Sequence, residues 1–260
     1  MTSVVFITGA SSGIGLALAE HYARTGATLG LAARRADRLA ELAATLRTLG
    51  ASAVHSYPLD VVDAPALAAA AQDFIAHCGA PDIVVASAGV SSGTLTECPE
   101  DLAAIRRIFD INVYGMAATF SPFIAAMKAV TSGRALRLVG IASVAGIRGL
   151  PGAEAYSASK AATIAYLESL RLELRASGIK VVTIAPGYIA TPMTAINPYR
   201  MPFLLPADEA ARRFARAIAC GVSYTVIPWQ MGVVAKLLRL LPNALYDRLF
   251  AGAPRKPKTL

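Results

Sequence analysis

Tyr156 and Lys160 are the residues in this sequence whose types and spacing best suit proton chemistry. Positions i and i+4 of a helix lie on one face, one turn apart. A free tyrosine has a pKa of about 10, too high for a good proton acceptor at neutral pH, but a nearby ammonium favours the phenolate. The pair therefore predicts a tyrosine that takes a proton from an alcohol or gives one to an alkoxide.

Ser143 follows directly after an apolar run that has the composition of a strand. A hydroxyl there can hydrogen-bond a substrate oxygen and stabilise the charge that develops on it. Taken alone, Tyr156 also fits a partly buried core aromatic, and Ser143 fits a polar residue at a strand end. Only the joint placement of these groups favours catalysis.

A glycine-rich segment, Thr8-Gly9-Ala10-Ser11-Ser12-Gly13-Ile14-Gly15, links the first apolar run to a strongly apolar helical stretch. Glycines allow a tight turn and let the backbone approach a pyrophosphate, whose charge then lies at the amides and positive dipole of the helix N-terminus. The segment predicts a dinucleotide site. A loop that only turns the chain would have the same composition.

Short apolar runs alternate with helical stretches, and together they predict an α/β fold. The runs are continuous rather than alternating, which is typical of strands buried on both faces of a parallel sheet. We expect one doubly wound, Rossmann-type sheet of about seven strands, with helices on both faces and ligands outside the carboxyl ends of the strands. No repeat or linker divides the chain, so residues 1–260 are predicted to form a single domain. The predicted strands are Val4–Thr8, Thr28–Ala32, Ala53–Leu59, Ile83–Ala86, Leu136–Ile141, Val181–Ala185 and Tyr224–Ile227; the helices are Ile14–Thr25, Ala36–Leu49, Pro65–Cys78, Asp101–Lys128, Tyr156–Ala176 and Pro206–Ala219.

These motifs resemble those of the short-chain dehydrogenase/reductase family, in the family's order and over most of the chain. Its T-G-x-x-x-G-x-G fingerprint matches Gly9, Gly13 and Gly15, and its Y-x-x-x-K motif matches Tyr156 and Lys160. Asp60-Val61 after the third strand, Asn112 in the following long helix, Ser143, and Pro186-Gly187 after the sixth strand also match. Ser87-Ala88-Gly89 departs from the family's N-A-G.

The resemblance implies a hydride transfer between a nicotinamide cofactor and an alcohol or carbonyl carbon. It assigns the acid/base role to Tyr156, substrate-oxygen binding to Ser143, contact with the ribose hydroxyls to Lys160, and a proton-relay water to Asn112. The acidic residue after the third strand contacts the adenine ring in the family. The implied cofactor-binding residues are Gly9, Ser11, Ser12, Gly13, Ile14, Gly15, Arg34, Arg35, Asp60, Val61, Ala88, Gly89, Tyr156, Lys160, Pro186, Gly187, Ile189 and Thr191.

The end of the second strand favours NADP(H) over NAD(H). NAD-binding relatives carry a carboxylate there for the ribose 2′-hydroxyl, whereas this chain has Arg34 and Arg35. Arginine offers a 2′-phosphate a fork of donors. The alternative is that both arginines only solvate the start of the next helix.

Residues 188–206 form an apolar, nearly uncharged segment in the position of the family's substrate loop. A pocket lined by it would take a lipophilic alcohol or ketone. The same side chains could equally pack on the protein itself.

Residues 229–260 predict two short amphipathic helices separated by Pro242 and followed by a basic tail. Such helices can bind a membrane surface, contact another subunit or cover the substrate pocket. We favour packing within the protein or between subunits, and expect a homodimer or homotetramer with possible peripheral membrane contact.

Bulk composition excludes several other classes. The net charge of +8 is scattered, with no basic run interleaved with aromatics, so we expect no nucleic-acid partner. The cysteines and histidines lack disulfide or metal-ligand spacing, so no metal site is predicted. The N-terminus carries no signal segment and the cysteines form no disulfide framework, so the cytoplasm is the expected compartment. An NADP(H)-binding sensor or scaffold without turnover, and a protein that mainly docks on membranes, are the alternative functions.

Overall fold

Seven strands pair in parallel to form the sheet of the computed structural model, which describes residues 2–131 and 133–260. They are β1 (Val4–Thr8), β2 (Thr28–Ala33), β3 (Ala53–Pro58), β4 (Ile83–Ala86), β5 (Arg137–Ile141), β6 (Lys180–Pro186) and β7 (Tyr224–Ile227). Their order is β3-β2-β1-β4-β5-β6-β7, so the direction of winding reverses between β1 and β4. The predicted doubly wound α/β fold is confirmed, and this reversal is where such sheets bind ligands.

The helices follow the predicted alternation with the strands. They are α1 (Gly13–Arg24), α2 (Ala36–Thr48), α3 (Ala64–Cys78), α4 (Asp101–Phe109), α5 (Gly115–Lys128), α6 (Glu154–Glu173), α7 (Pro192–Ala195), α8 (Ala207–Cys220), α9 (Trp229–Leu240) and α10 (Asn243–Phe250). Two predicted helices differ from the structure by more than one residue at an end. A π-helical turn at Asp110–Tyr114 interrupts the predicted Asp101–Lys128 helix, and α6 begins earlier than predicted and gives way to a 3-10 turn at Arg175–Ser177.

Two apolar cores lie on the two faces of the sheet. Successive side chains of a strand point to opposite faces, so Val5 and Ile7 of β1 enter the core built by α1, α2 and α8. Phe6 enters the other core, where its ring centroid lies 5.4 Å from that of Phe74 and 4.7 Å from that of Phe123. Because both faces are covered, the loops at the carboxyl edge of the strands remain free for ligands.

The stretch Asp101–Lys128 is long and apolar enough to cross a membrane, judged by length and composition only. Half of its most apolar window is buried, and Phe120 and Phe123 are fully buried in the core. A core helix of a folded domain passes the same test, so the length and composition of this stretch are weak evidence for a membrane-spanning helix.

Candidate active site

The glycine-rich turn after β1 packs so closely on its neighbours that side chains are excluded. Gly9 has φ +68°, and a Cβ there would lie 2.7 Å from the Cα of Ala88. A Cβ on Gly15 would overlap the Gly9 carbonyl oxygen. Gly13 also has a positive φ, of +55°. Glycine is therefore required for the turn to bring its backbone to the edge of the cleft.

The first turn of α1 leaves its backbone amides available to a ligand. Ser12 occupies the N-cap, but its side chain accepts no hydrogen bond from the helix, and the first turn holds no acidic residue. By contrast, the Asp63 side chain caps α3 by accepting from the Ala66 amide at 3.0 Å. A helix N-terminus with uncapped amides and no carboxylate suits the phosphates of a dinucleotide.

A cavity of about 240 Å³ lies on the β2–β3 side of the glycine turn. Gly9 of the turn lines it, and so do eight other predicted cofactor residues: Ser11, Ser12, Arg34, Arg35, Asp60, Val61, Ala88 and Gly89. The Arg35 guanidinium donates to the carbonyl and the hydroxyl of Ser11, each at 3.3 Å. Arg34 and Arg35 are both exposed at the cavity mouth. Their guanidinium groups therefore keep N–H donors within reach of an anion in the cavity.

Asp60 is the carboxylate of this cavity, and an arginine outside the predicted site neutralises it. Its Oδ2 accepts from Arg107 at 2.7 Å. Burial is the largest single effect and acts to raise the pKa of Asp60. The hydrogen bonds from Arg107 and the Val62 amide, together with the charges of Arg107 and Arg34, outweigh it and hold the pKa below its usual value. Sequence reasoning missed Arg107 because the pair joins the end of β3 to α4, which no local pattern connects.

A second cavity, of about 180 Å³, lies across β1, β4, β5 and β6 and brings the remaining predicted residues together. Ser143, Tyr156 and Lys160 line it. So do Gly9, Ser12, Gly13, Ile14, Ala88, Gly89, Pro186, Gly187, Ile189 and Thr191. Gly15 and Asn112 do not line it; Gly15 supports the turn beneath it.

Lys160 is almost fully buried, and its ammonium nitrogen donates to the carbonyl oxygen of Ile141 at 2.8 Å. The same nitrogen lies 5.8 Å from the centroid of the Tyr156 ring. Burial lowers the pKa of Lys160 to about 8. Tyr156 and Lys160 lie one turn apart near the start of α6, as their spacing predicted.

The pKa of Tyr156 is raised rather than lowered. Burial of the phenol disfavours the phenolate and raises the pKa, and hydrogen bonding with the Ser143 hydroxyl offsets only part of this effect. The expectation of an easily ionised phenol is therefore not met by the protein groups alone. In the protein without cofactor, the hydroxyl of Tyr156 is protonated and suited to give a proton.

Ser143 owes its position to a short turn. It is the N-cap of the 3-10 turn Val144–Gly146, where its Oγ accepts from the Ala145 amide at 3.1 Å. A Cβ on Gly146 would lie 2.6 Å from the backbone carbon of Lys160, so this turn packs directly on α6. The contact sets the distance between the strand that carries Ser143 and the helix that carries Tyr156.

Asn112 lies in the π-helical turn, and its side chain is fully used by the protein. Its Oδ1 accepts from the Val90 amide at 2.9 Å, and its Nδ2 donates to the Val90 carbonyl and to the Ser159 hydroxyl, each at 3.0 Å. A Cβ on Gly89 would lie 3.3 Å from Oδ1 of Asn112 and 3.7 Å from Nζ of Lys160. Asn112 thus holds the loop after β4 beside the ammonium.

A third cavity, of about 390 Å³, adjoins the second one and shares Ser143 and Tyr156 with it. Tyr188, Met193, Asn197, Tyr199 and Arg200 line it from the predicted substrate loop, and Phe250, Ala253, Pro254 and Lys256 line it from the C-terminal end. Sequence reasoning placed Lys256 in a basic tail and missed its place in this cavity. Among the residues described, no group of His, Cys, Asp or Glu side chains has a metal-binding arrangement.

Comparisons with known proteins agree with this geometry. A family model described as short chain dehydrogenase matches residues 3–199. The chain is 39% identical over 241 residues to an uncharacterized oxidoreductase of Myxococcus xanthus, and the match covers 93% of each chain. It is 37% identical over 222 residues to the 11-beta-hydroxysteroid dehydrogenase-like 2 protein of Arabidopsis thaliana, covering 84% of this chain and 70% of that one. Among solved structures, an alcohol dehydrogenase from the archaeon Thermococcus sibiricus, complexed with 5-hydroxy-NADP, aligns with a TM-score of 0.74 at 26% identity, over 86% of this chain and 95% of that chain.

Proposed function

The chain belongs to the short-chain dehydrogenase family, and from this premise we propose that it is an NADP(H)-dependent oxidoreductase that interconverts a lipophilic ketone and its secondary alcohol, with Tyr156 as acid/base. The observation that carries the proposal is the meeting of Ser143, Tyr156 and Lys160 in the second cavity, where Ser143 and Tyr156 also border the third. A hydroxyl, a phenol and an ammonium at one point suit proton transfer to a carbonyl oxygen.

Several features of this chain's cleft suit a dinucleotide. A turn without room for side chains at Gly9 and Gly15 leads into a helix whose first amides have no side-chain cap. Arg34 and Arg35 at the far end supply cations where a 2′-phosphate would lie, and Arg107 neutralises Asp60, the carboxylate that lines the same cavity. We therefore propose NADP(H) as the cofactor; one structural neighbour is complexed with an NADP derivative.

The protein groups then account for the movement of the proton. Bound nicotinamide supplies or accepts the hydride. In reduction, Ser143 donates a hydrogen bond to the carbonyl oxygen, and the protonated phenol of Tyr156 gives its proton to the alkoxide as it forms. The buried ammonium of Lys160 stabilises the phenolate that remains, and the raised pKa of Tyr156 favours this direction.

The lining of the third cavity supports a lipophilic substrate. Met193, Tyr199, Phe250 and Pro254 contribute apolar surface on the far side of Tyr156. One named relative is hydroxysteroid dehydrogenase-like, which is consistent with a bulky, apolar alcohol or ketone.

The experiment that tests the proposal is a panel of such ketones and alcohols assayed with NADPH, NADH and their oxidised forms by the absorbance of the reduced nicotinamide. Turnover of none of them would contradict it.

We also propose peripheral membrane contact through α9. Met231 and Ala235 face the protein, while Trp229, Val233, Leu237 and Leu240 are exposed, Leu240 by 80%. The helix has Lys236 and Arg239 and no acidic residue. An apolar stripe flanked by cations suits a bilayer that contains anionic lipid. The homo-oligomeric state and the cytoplasmic location stay predictions.

A further inference from the structure

The last residues of the chain follow a defined path over the loop after β4. The Gly93 amide donates to the Pro257 carbonyl at 2.9 Å. The Thr259 amide donates to the Ser92 hydroxyl at 2.8 Å, and the Thr259 hydroxyl donates to the Ser91 carbonyl at 3.1 Å. Lys258 pairs at 2.8 Å with Asp101, whose side chain is only 6% exposed. Contacts on both sides of residue 258 hold the tail in one position.

Two glycines make room for this tail. A Cβ on Gly93 would overlap the carbonyl oxygen of Lys256. Gly152 has φ +65°, and a Cβ there would lie 2.8 Å from Cγ of Arg255. Any side chain at either position would displace the tail or be displaced by it. The tail and the surface beneath it are therefore matched in shape, and the tail forms part of the wall of the third cavity.

The tail places the Lys256 side chain in the third cavity, beside the proposed proton donor. Its ammonium nitrogen lies 5.5 Å from the centroid of the Tyr156 ring. Lys256 lines the third cavity but neither of the two cavities assigned to the cofactor. Whatever it binds therefore belongs to the substrate side of Tyr156.

Lys256 has no counterion within the described residues. Its ammonium makes no ion pair or side-chain hydrogen bond there, and burial lowers its pKa. Among the described residues that line the cavity, Arg200 is the other cation, and none is an aspartate or a glutamate. An unpaired, half-buried ammonium is costly, and an anion that entered the cavity would remove this cost.

We propose that Lys256 is a substrate-binding residue and that the substrate is a lipophilic carbonyl compound or alcohol that carries an anionic group, such as a carboxylate. The inference rests on the proposed function, because it names the substrate class of the same site. The apolar wall binds the hydrocarbon part, and Lys256 binds the acid group by a charge-assisted hydrogen bond. The alternative is that Lys256 acts on the Tyr156 phenol and not on the substrate.

A matched pair of probes separates these two roles. The test compares kcat/KM for a medium-chain γ-keto acid and for its methyl ester in the wild type, Lys256→Met, Lys256→Arg and Lys128→Met. We expect the wild type to prefer the acid, and Lys256→Met to lose about 10- to 100-fold on the acid, mainly through KM, with at most about a twofold change on the ester. Lys256→Arg should keep most of the preference. Lys128→Met, which removes an exposed lysine of α5 that lines none of the three cavities, should keep the ratio of acid to ester.

Equal losses on acid and ester in Lys256→Met, or an unchanged preference, would overturn the inference.

Calorimetric titration of NADP⁺-saturated protein with decanoate, an unreactive carboxylate, gives a readout that needs no turnover. Decanoate should bind the wild type at least about 10-fold more tightly than Lys256→Met. If no carbonyl compound is turned over but decanoate binding depends on Lys256, the proposed function fails while the anion site stands. If ketones are turned over and decanoate binding ignores Lys256, only the anion site fails.

Discussion

The ammonium nitrogen of Lys160, on α6, donates a 2.8 Å hydrogen bond to the carbonyl oxygen of Ile141, on β5. This bond attaches the helix that carries Tyr156 to the strand end that carries Ser143. It also holds a charge in a nearly fully buried position. The balance between that hydrogen bond and the loss of solvation determines how the site responds to pH.

Wild-type protein should gain stability relative to Lys160→Met as pH rises above neutrality. Burial lowers the folded-state pKa of Lys160 from 10.5 to about 8, so the unfolded chain binds more protons between these values. The burial penalty, present in full below the folded pKa, is relieved as pH rises through this window. We expect a relative gain of about 2 kcal/mol between about pH 7.5 and about pH 9.5, measured by urea unfolding. A constant difference between the two proteins would contradict a lowered Lys160 pKa.

Replacing Arg34 and Arg35 together by alanine should weaken NADPH binding selectively. Both line the outer cavity, where they would meet a 2′-phosphate. Loss of the charge-assisted hydrogen bonds should raise the Kd for NADPH by about 10- to 100-fold and change that for NADH by no more than about threefold. Nicotinamide fluorescence measures both. Arg38→Ala is the control, because Arg38 pairs with Glu41 on the outer surface of α2. Parallel losses for both cofactors would remove the case for NADP(H).

Gly9→Ala should destabilise the protein and abolish cofactor binding. The left-handed backbone at φ +68° and the overlap with Ala88 should together cost about 2 to 5 kcal/mol. Gly149→Ala, where a Cβ would meet nothing within 4 Å, is the matched control and should unfold like the wild type. Thermal unfolding and NADPH titration measure the two effects. A Gly9→Ala protein with unchanged stability would show that the turn is looser than described.

Membrane contact through α9 predicts sedimentation with vesicles that contain phosphatidylserine. Trp229→Ser with Leu237→Ser should reduce the bound fraction strongly, because each exposed side chain contributes about 1.5 to 3 kcal/mol when fully buried. Leu172→Ser, at an equally exposed leucine on α6, should have no effect. If light scattering instead shows that the wild type is a dimer and the double variant is a monomer, this face is a subunit contact. Binding that is the same in wild type and double variant would rule out α9 as the docking face.

Local patterns were sufficient to predict the sheet and most of the cleft. Most strands are short, mainly apolar runs, with His55 and Ser56 of β3 as the exception, and the glycine-rich turn is a contiguous motif, so both can be recognised without distant residues. The π-helical turn at Asp110–Tyr114 has no such signal, because helix periodicity is nearly the same on both sides of it. Chain separation also concealed Arg107 and Lys256. Their partners, Asp60 and the cavity beside Tyr156, are brought to them only by the finished fold.

The pKa of Tyr156 illustrates a second limit. A lysine one turn away predicts an ionised phenol, but burial acts in the opposite direction and is stronger in this structure. Burial depends on the packing of the whole carboxyl edge of the sheet. Spacing in the sequence therefore predicts which groups meet, whereas the fold determines their protonation.

Tyr156→Phe tests the central proposal most directly. The substitution removes one oxygen atom and leaves Ser143, Lys160 and the cofactor cavities in place. We expect kcat to fall by about 10²- to 10⁴-fold, as for loss of a general acid, with the Kd for NADPH within about threefold of the wild-type value. Tyr166→Phe, a second tyrosine on α6 that packs against the core, should retain full activity. Turnover by Tyr156→Phe at the wild-type rate would contradict the assignment of Tyr156 as the acid/base.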